Sequence, residues 1–90
     1  MIGSLAGNTS ANDLATGDSN TIIGASANGG NAGAVNRTVI GYGAIGSGDN
    51  SVTLGNADVN TVYMAQDKGA TVYAAGASFS KDSANTDLYI

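Results

Sequence analysis

Apolar residues in this chain fall in short β-branched bursts, with no long runs and no helical spacing. The bursts are Thr21-Ile22-Ile23, Thr38-Val39-Ile40 and Val52-Thr53-Leu54, and each ends on a glycine, Gly24, Gly41 or Gly55. Aligned on those glycines, SNTIIG, NRTVIG and NSVTLG are three copies of one phrase, with Ser19, Asn36 and Asn50 five residues upstream of the glycine. Short β-branched segments bounded by Gly, Asn and Asp read as strands. The glycine after each strand permits a tight corner.

The glycines are 17 and then 14 residues apart. Self-similarity at a short period is the signature of a solenoid. The longer first interval places its extra residues in NGGNAG (28–33), a turn-rich stretch that tolerates insertion. Ile2-Gly3 matches the tail of an earlier copy, which predicts a piece of a longer array.

Side chains alternate across a strand. The two positions at -1 and -3 from the glycine share a face: Ile23, Ile40 and Leu54 with Thr21, Thr38 and Val52. These six residues are expected to form the repeat core. Ile22, Val39 and Thr53 at -2 then face outward. With both faces largely apolar, the second is expected to pack on a neighbouring chain. Arg37 is placed at a solvated edge, and Asp18 and Asp49 before the strands are expected to close Asx-turns.

Beyond the repeats the pattern changes. TVYMAQ (61–66) and ATVYAAG (70–76) flank Asp67-Lys68-Gly69, which predicts a β-hairpin or a β-prism segment. Ala77–Ser80 and Leu88–Ile90 are the last strand candidates. The chain is therefore divided into residues 1–59, the repeats, and residues 60–90, a β-rich C-terminal segment.

Composition sharpens this picture. Gly, Ala, Ser, Thr and Asn account for 56 of the 90 residues, whereas Val, Ile, Leu and Phe account for 17. That apolar share lies below the roughly 20% at which disorder becomes an alternative. Yet Pro is absent and the net charge is only -4, unlike disordered segments. Such small side chains suit a narrow core in which backbones approach closely.

With these copies in view, the chain resembles the head repeats of trimeric autotransporter adhesins, whose repeat has the form N-S-V-A-Φ-G, with Φ an apolar residue. NSVTLG (50–55) carries the resemblance, which covers about residues 17–59. The same repeats occur in phage tail fibres and tail spikes, and SVTLGNADVNTVYMAQDKGATVYAAG (51–76) looks more like that context. The resemblance implies an all-β fold, a left-handed parallel β-roll, with three chains packed around a common axis. It also implies a virion or extracellular cell-surface location and a role in host attachment. Two departures stand out: the copies are unequal in length, and Ile22 and Val39 occupy a position that is usually small. The chain shows no neck motif and no anchor domain.

Few chemistries remain open. With no His, Cys or Glu, imidazole catalysis, thiol catalysis and thiolate metal sites are excluded within this chain. No spacing singles out a catalytic pair among the Asp residues, so no enzyme is expected. Asp18, Asp49 and Asp58 are oxygen donors of the kind calcium takes, but GSGDN (46–50) is not the calcium-binding nonapeptide, and no metal or cofactor is expected. GYGAIG (41–46) fits a nucleotide fingerprint only in a βαβ setting, so its glycines are read as corners. Three basic residues against seven acidic ones argue against nucleic acid. No apolar run is long enough to span a bilayer, and MIGSLAG has neither the basic segment nor the apolar core of a signal peptide. Any recognition of a host glycan or receptor is expected at Tyr63, Met64, Gln66, Lys68 and Tyr73, with packing between chains as the competing role for the tyrosines. A filament assembled from this chain alone is a further alternative, if the ends of the array are open.

Overall fold

The computed structural model describes residues 1–8 and 16–78. Among them there is no helix, and three short strands form one parallel sheet in the order β1 (Thr21–Ile23), β2 (Arg37–Ile40), β3 (Ser51–Leu54). The described part of the chain is all-β. The register is that of the repeat: Ile22 pairs with Val39, and Val39 with Thr53. Ile2 extends the same ladder by a bridge to Ile23, so the Ile2-Gly3 match is a structural equivalence.

Two further parallel bridges, Asp18 to Val35 and Asn28 to Ile45, place the connecting segments beside one another as well. They also locate the extra residues. The chain takes seven steps from Asn28 to Val35, and four from Ile45 to Asp49, the position equivalent to Val35 in the strand register. The three additional residues therefore lie between Asn28 and Val35, where the spacing predicts them.

Successive corners stack backbone on backbone. Gly24 has φ +131° and Gly41 has φ +133°. A Cβ on Gly24 would lie 2.5 Å from the Gly41 carbonyl oxygen, so only glycine is accommodated there. Before each strand, Ser19, Asn36 and Asn50 adopt left-handed φ of 59°, 51° and 58°. Two of these are Asn, which tolerates that region better than most residues.

The core is small and lies on the face opposite to the one expected. Ile22 and Val39 are fully buried, packed with Ala27 and Ala44. Of the six residues expected inside, Thr21, Ile40, Val52 and Leu54 are exposed, and Ile23 and Thr38 are half-buried. The reason lies two residues upstream of the buried pair. Asn20, Arg37 and Ser51, at -4, share the -2 face, and each donates to a carbonyl of a connecting segment, respectively that of Ala34, Gly29 and Gly48. Backbone oxygens closed inside the stack need donors. Placing -2 and -4 inward supplies both apolar filling and those donors.

The C-terminal expectation is met only at its turn. Lys68 N–H donates to Ala65 O at 3.0 Å, and Gly69 N–H donates to Asp67 Oδ1 at 2.8 Å. Residues 61–66 and 70–76 form no strand and are almost wholly exposed, so no hairpin forms among these described residues. A two-stranded hairpin with no layer to pack against is marginal in water. Ala77 and Ser78 are in no strand, and residues 79–90, including Leu88–Ile90, lie outside the described residues.

Candidate functional site: the outward face of the sheet

The residues displaced from the core line the outward face of the sheet. Along the -1 line, Ile2 is 66% exposed, Ile40 38% and Leu54 49%, with Ile23 half-buried between them. Along the -3 line stand Thr21, Thr38 and Val52, the last 64% exposed. In-register pairing makes these two rows one continuous strip across β1, β2 and β3. Apolar surface gathered on one face is the usual mark of an interaction site. The strip carries no charged side chain.

Behind the strip the stack is held by polar contacts that the composition does not reveal. Arg37 is only 7% exposed, not at a solvated edge. Its Nη1 donates to Gly29 O at 2.7 Å, within the three-residue enlargement, and its Nε donates to Asp49 Oδ1 at 2.9 Å. Asn20 Oδ1 accepts from Arg37 N–H at 2.9 Å, while Asn20 Nδ2 donates to Ala34 O at 2.6 Å. Burial of a guanidinium is tolerated because each of these donors has an acceptor.

Asp49 closes no Asx-turn. Its Oδ1 accepts from Val35 N–H at 3.0 Å and from Arg37, so it ties one repeat to the previous one. The Val35 hydrogen bond, followed by the Arg37 hydrogen bond, holds its carboxyl below the ordinary carboxylate value. The Asx-turns belong instead to Asn28, Asn31, Asn56 and Asp67. Asn36 Nδ2 donates to Asn50 Oδ1 at 2.8 Å, so the Asn of one copy bonds the Asn of the next.

A further inward position also recurs in the sequence. Ala6, Ala27 and Ala44 each stand three residues after a corner glycine, in GSLA, GASA and GYGA. In each, the alanine N–H donates to the glycine carbonyl, at 3.1, 3.1 and 3.2 Å. Ala27 and Ala44 are fully buried against Ile22 and Val39.

The candidate recognition residues follow the three strands in the chain. Tyr63, Met64, Gln66, Lys68 and Tyr73 are all exposed, Tyr73 to 93%. Lys68 Nζ sits 5.7 Å from the Tyr63 ring centroid, a cation–π distance. Among the described residues no three His, Cys, Asp or Glu side chains gather as a metal site. Compared with family models, curated proteins and solved structures, the chain gives no match.

Proposed function

We propose that the chain is a structural segment of a trimeric extracellular or virion fibre, such as an adhesin-like stalk or a phage tail fibre. In this reading the stacked repeats are a β-roll, and their outward strips pack three copies around an axis. The observation that carries it is the uncovered apolar strip formed by Ile2, Ile23, Ile40, Val52 and Leu54, set against a core of two β-branched residues and a few alanines. A layer that thin buries little apolar area by itself, at roughly 25 cal/mol per Å². Small domains commonly compensate by oligomerising. The mechanism is mechanical: a parallel backbone ladder resists bending, and the assembly holds whatever lies beyond it away from the surface.

Native mass and light scattering test this reading. Three chains per particle across dilution is the expected result, with Ile40→Asp reducing it to one. A folded monomer at every concentration refutes it.

A second reading, recognition of a host glycan or receptor by residues 62–73, is favoured by the exposure of Tyr63 and Tyr73 and by the Lys68 contact on Tyr63. Exposed tyrosines often dominate binding energetics. A Tyr63→Ala, Tyr73→Ala double variant that keeps its mass but loses cell or glycan binding supports it. A double variant that loses its mass, with no ligand found in a glycan screen, assigns these rings to packing between chains.

A further inference from the structure

We infer that residues 55–59 are a terminator that closes the open end of the stack and prevents a second copy from adding there. The inference rests on the stacked-repeat reading, not on the number of chains in the particle. Its basis is a change at the fourth corner. A Cβ on Gly3 or Gly24 would meet the backbone of the next corner glycine, at 2.6 and 2.5 Å, and one on Gly41 would lie 3.0 Å from Gly55 Cα. A Cβ on Gly55 would meet the Val59 side chain instead. Val59 therefore occupies the place that the corner glycine of a following repeat would need.

The hydrogen bonding changes at the same point. Ser4 O accepts from Ser26 N–H at 2.8 Å, and Ala25 O accepts from Gly43 N–H at 2.9 Å, each bond joining one repeat to the next. The equivalent Tyr42 O accepts from the Asn56 side chain, Nδ2, at 2.8 Å. Asn56 Oδ1 in turn accepts from Asp58 N–H at 2.9 Å, and Asn56 O accepts from Val59 N–H at 3.2 Å. One side chain thus satisfies the last carbonyl, starts the closing turn and brings Val59 under the corner. The inward alanine found three residues after Gly3, Gly24 and Gly41 has no counterpart, because Asp58 stands at that position after Gly55.

The consequence concerns the outer edge of β3, which among the described residues pairs only with β2. An unpaired strand edge is a template for another chain unless something covers it. Strand and glycine are contiguous at Leu54-Gly55, so any copy pairing in register must set a residue beneath Gly55, where Val59 already sits. The edge remains hydrogen-bond competent, but in-register growth is blocked. An open depression of about 570 Å³, lined by Tyr42, Ile45, Thr53 and Asn56 among others, lies at this end.

The test follows mass by light scattering from dilute to concentrated solution for the wild type, Val59→Gly, and Asn56→Ala with Val59→Gly. The wild type is expected to hold one mass, and the variants to gain mass with concentration and form rods of constant width in electron micrographs. Concentration-dependent rods of the wild type overturn the inference. So do variants that keep the wild-type circular dichroism and the wild-type mass. If the variants lose that circular dichroism, the terminator is read in the wild type by NMR. The Asn56 side-chain amide protons should then exchange several-fold more slowly than those of Asn60, and equal rates overturn it. A constant wild-type mass of one chain refutes the trimer while leaving the terminator standing.

Discussion

Arg37 Nη2 lies 2.8 Å from Asp49 Oδ1, with the Arg37 side chain 8% exposed and that of Asp49 50% exposed. The same oxygen accepts from Val35 N–H. One carboxylate thus joins the ends of two repeats and neutralises a cation that closes the Gly29 carbonyl inside the stack. Removing Asp49 leaves the more buried charge of the pair uncompensated. Asp49→Ala is expected to lower the denaturation midpoint, and Arg37→Met, which also leaves the Gly29 carbonyl without its donor, is expected to lower it at least as far. Urea melts of the two variants check this; an Asp49→Ala chain that melts with the wild type, or an Arg37→Met chain more stable than it, refutes it.

The pH dependence follows from the same carboxyl. Its folded pKa is depressed, so the stabilisation is fully present above the ordinary carboxylate range and is lost as pH falls through the folded value. Thermal melts between pH 7 and pH 3 should show the wild type losing stability on acidification more steeply than Asp49→Asn. Equal slopes would assign acid sensitivity to other groups.

The two faces of β2 separate the core from the proposed assembly. Val39 is fully buried and Ile40 is 38% exposed, although they are adjacent. In a single chain Ile22→Ala should cost about 3 kcal/mol, in the range of buried aliphatic truncations. Ile40→Ala should cost under about 1 kcal/mol within one chain, and more where copies associate, because the unfolding of an assembly also depends on protein concentration. Denaturation at two protein concentrations checks this. Equal losses for both at low concentration would restore the core to the -1 face.

Corner glycines should be unequal in their tolerance. Gly24→Ala meets the Gly41 carbonyl and a φ of +131°, a region that costs a non-glycine residue roughly 1–3 kcal/mol before any clash. Gly48 has no atom within 4 Å of its would-be Cβ and no positive φ. Gly48→Ala should fall within about 0.5 kcal/mol of wild type. A Gly24→Ala chain that melts with the wild type would refute the stacked corner.

The repeat was legible because its signal is local. A β-branched triplet, a glycine after it and an Asn or Ser five residues before the glycine specify strand, corner and left-handed entry without reference to any distant residue. Aligning Gly24, Gly41 and Gly55 is therefore enough to yield the register Ile22 to Val39 to Thr53, and the spacing is enough to place the enlargement between Asn28 and Val35. The face that turns inward was not legible. Ile23, Ile40 and Leu54 outweigh Ile22, Val39 and Thr53 in apolar content, and the polar residues at -4 look outward by type. Only the tertiary arrangement reveals that the carbonyls of Ala34, Gly29 and Gly48 need donors inside the stack, and that Asn20, Arg37 and Ser51 are within reach. For Gly29 and Ala34 the bond joins residues 8 and 14 positions apart, so the need for a donor at -4 is not visible within any one repeat. The order of strands belongs to the sequence by itself; which side of them is dry was decided by unsatisfied backbone oxygens, whose burial without a partner costs more than exposing a few isoleucines.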